Sequence, residues 1–175
     1  MTIEEFLNLT IGQWFAQRTS YVLNNEEVEN SKVEITTTAL KSDDLEVIQL
    51  CQQHNIKADQ TLSAIKSSWN NSVDWDKPKK QGSALLIFVP DPDQSNQGFV
   101  YRDLSISNNN DVAQYQFSED GVLTLSIQQD HLIIEERQWF ASENLRLRNT
   151  LVKEENNCYQ TAFYSEIRKI VAPVG

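Results

Sequence analysis

Apolar and polar residues alternate with a period of two along most of the chain, a pattern typical of β-strands with one buried side. Turn-forming stretches such as "SEDG" and "DPDQSNQG" separate several of these segments, which favours short antiparallel connections. We therefore predict an antiparallel meander that closes on itself as a barrel. The predicted strands cover residues 13–23, 31–40, 61–69, 82–90, 98–106, 112–117, 122–129, 132–140, 145–153 and 159–170.

Two stretches have the pattern of helices instead. Residues 2–9 begin with a capping box, in which Thr2 is the N-cap and Glu5 lies three positions later. A second helix is predicted from about residue 43 to residue 54, with Ser42 as its cap. Its apolar residues recur at spacing three, at Leu45, Ile48 and Cys51. The cysteine of this set is interpreted as a small buried apolar residue.

Composition narrows the class of protein. A chain of 175 residues suits a single domain over residues 1–175. The net charge of −10 argues against general affinity for nucleic acid or anionic membranes, although a locally basic pocket remains compatible with it. The N-terminus has no basic leader, and no apolar run reaches the length of a membrane span. We therefore expect a soluble, unexported protein with no membrane insertion.

The familiar catalytic motifs are absent from the sequence. It contains no glycine-rich phosphate loop, no His/Cys metal cluster and no serine nucleophile elbow. Cys51 and Cys158 fit no metal-ligand spacing and receive no catalytic role. We therefore expect no metal site, and an enzyme with this sequence would lack a covalent nucleophile of its own.

The segment "NLRLRNT", residues 144–150, poses the main question about chemistry. Alternation directs Arg146 and Arg148 to one side of a strand and Leu145 and Leu147 to the other. The pattern alone favours arginines on a solvated outer face with cross-strand ion pairs, because buried charge is costly. The alternative directs the arginines and at least one glutamate inward, with tryptophans around them. That arrangement would suit an elongated apolar ligand with carboxylates and N–H groups.

Six segments, in this order and spacing, resemble the S-type phycobiliprotein lyases, the CpcS/CpeS family. The resemblance spans the chain from Phe6 to Arg168, and residues 135–150 are its most specific part. The segments are "GQWFAQRTSYVL", "DLEVIQLCQQ", "WNNSVDWD", "GSALLIFVPDPDQSNQGFVYRD", "EERQWFASENLRLRNT" and "AFYSEIR".

The resemblance implies a mainly β fold: a ten-stranded antiparallel lipocalin-like barrel, similar to fatty-acid-binding proteins, with an N-terminal helix and one inserted helix. It also implies a chromophore lyase that binds a linear tetrapyrrole, phycocyanobilin or phycoerythrobilin, as substrate and not as a prosthetic group. The bilin would be joined by a thioether to a cysteine of an apo-phycobiliprotein subunit, so the thiolate would belong to the acceptor. The expected location is the cytoplasm, or the plastid stroma if the protein is algal.

The resemblance also suggests roles for particular residues. Arg146 and Arg148 would bind the bilin propionates, because a guanidinium fork matches a carboxylate and stays charged. Glu136 would be the catalytic residue, since hydrogen bonds from the pyrrole nitrogens to its carboxylate would keep the bilin protonated and electrophilic. Trp69 and Trp75 would cover the ring system near the mouth of the barrel.

Further bilin-binding candidates are Arg18, Glu166 and Arg168. For Arg18 and Glu166 the alternative is an ion pair with each other at the barrel end. Trp14 and Trp139 fit a core or interface position as well as they fit a ligand contact.

The chain also departs from the family pattern. Ser105 and Ile106 stand where a Gly-Tyr pair is usual, and the loop "PDPDQSNQ" is more polar than expected. These differences leave a second function open: a non-catalytic bilin carrier or chaperone, or the partner subunit of a heterodimeric lyase. A homodimer and, from the fold alone, a fatty-acid carrier are further alternatives.

Overall fold

The computed structural model describes residues 1–24, 26–57, 62–104, 112–129, 131–154 and 157–170. These residues form two helices and ten strands. The helices are α1 (Ile3–Thr10) and α2 (Leu45–Gln53). The strands are β1 (Gly12–Val22), β2 (Glu27–Leu40), β3 (Ser63–Asn70), β4 (Gln81–Pro90), β5 (Gln97–Leu104), β6 (Ala113–Phe117), β7 (Leu123–Gln129), β8 (Leu132–Ser142), β9 (Leu145–Glu154) and β10 (Asn157–Arg168).

Each strand pairs antiparallel with its neighbour in sequence, and β1 pairs with β10 to close the barrel. The predicted fold is therefore confirmed. The main difference is at β2, which begins at Glu27 instead of residue 31. The first residues of this strand are mostly polar, but they still pair with β1, with Val28 opposite Tyr21 and Asn30 opposite Thr19. Backbone hydrogen bonds, not an apolar pattern, extend this strand. Ser105 and Ile106 lie outside the described residues.

Helix α1 closes one end of the barrel. Its predicted capping box is present, since Thr2 Oγ1 accepts the N–H of Glu5 and the Glu5 side chain accepts the N–H of Thr2. The ring of Phe6 is fully buried and packs edge-on against Phe117 and Phe140, at centroid distances of 5.5 and 5.0 Å. The opposite end of the barrel is the one at which β3, β5 and β9 finish.

Helix α2 lies on the outside of the barrel, against the outward side chains of β3 and β4. It begins after Asp44 and not after Ser42, so the predicted cap was wrong. The physical reason is a turn at Lys41, whose N–H is accepted by the Asp44 carboxylate at 2.6 Å. Neither helix in the described parts of the chain is long and apolar enough to cross a membrane.

The buried side of α2 also differs from the prediction. Leu45 is 69% exposed, whereas Val47, Leu50 and Cys51 are buried against Leu85 and Ile87. The burial of Cys51 is confirmed, but the side of α2 that packs on the barrel differs from the side predicted by the spacing of three.

Gly98→Ala is expected to destabilise the barrel by more than about 2 kcal/mol, at the upper end of the usual range for single substitutions. A Cβ at this position would lie 2.2 Å from the backbone oxygen of Val89 and 2.8 Å from the Tyr115 ring, so the β4–β5 ladder would have to shift. The matched control is Asp103→Ala on the exposed side of the same strand, expected to change stability by about 0.5 kcal/mol or less. Urea unfolding measures both, and equal losses would contradict the prediction.

Candidate functional site

A cavity of about 490 Å³ occupies the interior of the barrel, a volume within the range of small-molecule sites. Its floor is the apolar side of α1, including Phe6 and Leu7, and its walls are the inward side chains of the strands. Most of the wall is apolar. The charged side chains that line it are Arg18, Arg102, Glu136, Arg146 and Arg148.

The arginines of "NLRLRNT" point into this cavity. Arg146 is only 6% exposed and faces Glu166 directly across the β9–β10 ladder. Leu145 and Leu147, which alternate with the arginines, are half-buried on the outer side of β9. The outer-face interpretation drawn from the pattern alone was therefore wrong, and the inward orientation implied by the resemblance is the one observed.

Buried carboxylates make this orientation possible. Glu166 is fully buried; one of its oxygens accepts the Nε–H of Arg146, and the other lies 2.9 Å from an Nη of Arg148. Arg148 also lies 3.6 Å from the carboxylate of Glu136. Two cations and two anions thus neutralise one another on β8, β9 and β10. We call Glu136, Arg146, Arg148 and Glu166 the ion cluster.

Burial and charge act in opposite directions on the pKa values of the ion cluster. Burial by itself would raise the pKa of Glu166, but Arg148 and Arg146 outweigh it and hold that pKa below its ordinary value. Burial lowers the pKa of Arg146, and Glu166 offsets only part of the effect. For Arg148, the attraction of Glu136 and Glu166 outweighs burial and raises the pKa. The carboxylate of Glu166 is therefore ionised at neutral pH.

A row of side chains across three strands orients Arg148. Gln138, Arg148 and Tyr164 are successive partners in the β8–β9–β10 ladders. The guanidinium carbon of Arg148 lies 4.0 Å from the centroid of the Tyr164 ring, a cation–π contact. Gln138 donates to Glu136 at 2.6 Å. Glu136 is 21% exposed and lines the cavity, so its carboxylate can accept a hydrogen bond from a ligand.

Arg18 lines the cavity from β1, the strand next to β10, where it is the ladder partner of Tyr164. Its Nη2 binds Glu29 at 2.7 Å and Ser20 at 3.2 Å. The predicted alternative, an ion pair between Arg18 and Glu166, was wrong because Glu166 is already bound by the arginines of β9. Glu166 itself is too deeply buried to line the cavity.

The four tryptophans lie in different environments. Trp69 lines the cavity, and its ring packs where a Cβ on Gly82 of the neighbouring strand would lie, 2.6 Å from the nearest ring carbon. Trp75 is 87% exposed and does not line the cavity. Trp14 is fully buried beside α1, and Trp139 is half-buried on the outer side of β8. Of the four tryptophans, only Trp69 lines the cavity.

Arg168 also lies apart from the cavity. Its guanidinium donates to the backbone oxygens of Leu9 and Ile11 at 2.5 and 2.8 Å, at the end of α1. The observed contacts of Arg168 are structural, and they replace the ligand contact that the sequence suggested.

The cavity is basic in an otherwise acidic protein. Four arginines (Arg18, Arg102, Arg146 and Arg148) line its wall, but among the described residues only one carboxylate does, that of Glu136. The chain as a whole carries −10. A low-dielectric cavity with excess positive charge attracts an anionic ligand.

Another cavity, of about 500 Å³, lies at the closed end beside the start of α1. Its described lining contains no basic side chain, and its charged residues are Glu4 and Glu119, so it does not suit an anion. Neither cysteine lines the barrel cavity. The described residues contain no group of three or more His, Cys, Asp or Glu side chains that could hold a metal.

Sequence reasoning missed several residues of this site. Arg102 on β5, Gln138 on β8 and Tyr164 on β10 all line the cavity. Gln138 and Tyr164 lie two residues from Glu136 and Glu166, so strand alternation predicts that each shares the inward side with that glutamate. Gly82 is recognisable only once the β3–β4 register pairs it with Trp69.

Known proteins resemble the chain over nearly its whole length. A family model described as CpeS-like protein matches residues 2–169. A chromophore lyase CpcS/CpeS from Thermosynechococcus vestitus is 35% identical over 96% of this chain and 93% of its own. A phycocyanobilin lyase subunit CpcS from Picosynechococcus sp. is 30% identical over 98% of this chain and 88% of its own. The solved structure of the S-type phycobiliprotein lyase CPES from Guillardia theta has a TM-score of 0.85 at 25% identity, covering 98% of this chain and 95% of that one.

Glu166→Gln is expected to destabilise the fold by about 3–5 kcal/mol at pH 7, because it leaves buried arginines without their anion. Because its folded pKa is lowered, Glu166 stabilises the protein fully above its unfolded pKa of about 4.3. This contribution is lost as pH falls through the lower folded value.

Denaturant unfolding at several pH values measures the difference between the wild type and Glu166→Gln, which should be constant near neutrality and shrink in acid. The control is Glu135→Gln, which removes a half-exposed ion pair with Lys153 on the outer face and should cost about 1 kcal/mol or less. A difference that grows in acid would contradict the assignment.

Proposed function

The chain belongs to the CpeS-like family, and from that membership and the basic cavity we propose that it is a phycobiliprotein chromophore lyase. It binds a phycobilin in the barrel and delivers it to a cysteine of an apo-phycobiliprotein subunit, where a thioether forms. The observation that carries the proposal is the cavity lining, in which four arginines meet one carboxylate inside a chain with a net charge of −10. A linear tetrapyrrole with two propionates brings the complementary charge.

The propionates bind the arginines in this proposal. The side chain of Arg148 is 22% exposed and lines the cavity while it is paired with Glu136 and Glu166. Arg146 uses Nε on Glu166, so its Nη groups are the donors for a carboxylate. Arg18 on the neighbouring strand β1 and Arg102 on β5 add positive charge to the lining of the cavity. Guanidinium groups suit this task because they bind carboxylates in a forked geometry and stay charged.

Glu136 is the proposed catalytic residue. Its carboxylate lines the cavity between Gln138 and Arg148. Pyrrole N–H groups donating to it would keep the bilin protonated, and a protonated conjugated system is more electrophilic at its A-ring side chain. The contacts from Gln138 and Arg148 fix the carboxylate before the bilin arrives, which is the preorganisation that electrostatic catalysis needs.

Trp69 supplies a flat apolar surface for the conjugated plane of the bilin. Trp75, exposed on the loop between β3 and β4, is proposed only as a residue near the mouth. The remaining wall is mostly apolar, so a bound bilin is shielded from water. Holding the A-ring in one orientation turns an unselective addition into a directed one.

The acceptor protein supplies the nucleophile. Its thiolate adds to the A-ring side chain, a carbon–sulfur bond forms, and the bilin gains a proton, so no group leaves. Helix α1 blocks one end of the barrel, and the acceptor must therefore approach the opposite end. The cytoplasmic location, or plastid stroma in an alga, stays a prediction.

A second candidate function is that of a partner subunit or bilin carrier that does not transfer the bilin alone. It is favoured by the Picosynechococcus relative, whose name describes a lyase subunit. Under this alternative the same cavity binds bilin, and transfer requires a paralogous chain. A homodimer is a further possibility within this candidate.

Purified protein mixed with bilin and apo-subunit is expected to give a fluorescent covalent adduct faster than the protein-free control. Absorption and mass of the acceptor subunit measure the product. Bilin binding without transfer, followed by transfer on addition of a paralogue, would favour the partner-subunit function. Absence of both binding and transfer would rule out both functions.

In the same assay, Arg148→Gln is expected to weaken bilin binding by about 10- to 100-fold, the size of a lost hydrogen bond to a charged group. Lys153→Gln is the matched control, because it removes the same charge from the outer side of the same strand. It should leave affinity unchanged. Equal affinity for Arg148→Gln and the wild type would contradict propionate binding at this strand.

Gly82→Ala is expected to reduce bilin affinity by about 10-fold, which corresponds to a loss of about 1.4 kcal/mol of binding free energy. The added methyl would displace the Trp69 ring, which lies 2.6 Å from that Cβ position. Trp69→Phe provides the matched background, because a smaller ring relieves the clash. Titration of the wild type, the two single variants and the double variant should show a smaller effect of Gly82→Ala when Phe occupies position 69. The same effect in both backgrounds would exclude this explanation.

A further inference from the structure

A fully buried tryptophan at the closed end of the barrel is not used by the proposed function. Trp14 lies on β1, is 0% exposed, and donates its ring N–H to the backbone oxygen of Thr10 at 2.9 Å. Thr10 is the last residue of α1. The indole is therefore fixed against the end of the helix that forms the cavity floor.

Two guanidinium groups lie over this indole. The guanidinium carbon of Arg168 is 4.2 Å from the ring centroid, and that of Arg146 is 5.1 Å away. Both distances are within the range of cation–π attraction. Trp14 is thus the one side chain, among the described cation–π contacts, that is shared by two arginines.

Arg168 ties this tryptophan to α1. It donates to the backbone oxygens of Leu9 and Ile11 and, at 3.2 Å, to that of Glu143 in the β8–β9 turn. The last turn of α1 contains no basic residue of its own. Arg168 therefore supplies the positive charge that favours a helix C-terminus and holds the helix against the strand ends.

Arg146 connects the same tryptophan to the ion cluster. Its Nε–H is donated to Glu166, and its guanidinium lies over Trp14. The hydrogen bond and the ring contact together restrict the plane of the guanidinium. A carboxylate in the cavity would then meet Nη groups of fixed direction, without the cost of ordering a long side chain.

We infer that Trp14 and Arg168 are positioning residues of the proposed bilin site, which hold Arg146 in its binding orientation and couple the docking of α1 to bilin binding. The inference rests on the proposed function. Neither residue touches the ligand; Trp14 acts through Arg146, and Arg168 acts through Trp14 and α1. Bilin bound at Arg146 and α1 seated on the barrel end stabilise each other.

The test compares Trp14→Leu with Trp14→Phe in the full chain, titrated with phycocyanobilin and followed by absorption. Trp14→Leu removes the aromatic face and should raise the bilin Kd by about 10-fold, the usual scale of a buried cation–π contact. It should also change the spectrum of the bound bilin. Trp14→Phe keeps an aromatic face and should restore most of the affinity.

Phe117→Leu is the matched control for loss of packing, because Phe117 contacts Phe6 of the same floor, with centroids 5.5 Å apart. It should lower Tm and, because it loosens α1 without touching Arg146 or Trp14, reduce bilin affinity much less than Trp14→Leu does, with the bilin spectrum unchanged. A Trp14→Leu variant with a lowered Tm but wild-type affinity and spectrum would overturn the inference. So would equal effects of Trp14→Leu and Phe117→Leu on affinity.

Hydrogen exchange tests the coupling to α1. Bilin should slow amide exchange in residues 3–10 of the wild type and of Arg168→Lys, and have a much smaller effect in Arg168→Gln. An equal effect in Arg168→Gln would overturn the coupling. A wild-type chain that binds no bilin would overturn the proposed function and this inference together, whereas unchanged Trp14 variants with normal wild-type binding would overturn only the inference.

Discussion

The interior of this barrel depends on one buried interaction, the contact of Glu166 with Arg146 and Arg148. An unpaired charge in such a place would cost several kcal/mol, so the three side chains require one another. Arg146 and Glu166 are direct partners in the β9–β10 ladder, and a slip of one residue would turn one of them outward. The ion cluster therefore fixes the register of the strands that carry it.

That constraint explains both sides of β9. Because the arginines occupy the inner side, the leucines that alternate with them must lie on the outer side, where Ile167 and Phe163 of β10 are also exposed. The apolar core moves accordingly to the opposite wall and to the floor, around Phe6, Phe88 and Leu123. The result is a cavity with one polar wall and one wall that is apolar except for Arg102, which suits an amphipathic ligand.

Much of the fold was predictable from the sequence because strand alternation and capping are local properties. The ten strands and the Thr2 capping box follow from short windows of the chain. The side of β9 that faces inward was not predictable in this way, since a period of two looks the same from either side. The inward orientation of the arginines depends on Glu166, which is 20 residues from Arg146 in sequence. The start of α2 was missed for a similar reason, because the Lys41–Asp44 turn competes with the Ser42 cap.

The two arginines of the ion cluster are not equivalent as probes of function. Arg146 is 8% exposed at its side chain and gives Glu166 its hydrogen bond, so truncating it disturbs the fold and the site together. Arg148 is 22% exposed and is held by two carboxylates and the Tyr164 ring. Its loss leaves Glu166 still bound to Arg146. A change in ligand binding at Arg148 therefore includes a smaller cost of folding than the same change at Arg146 does.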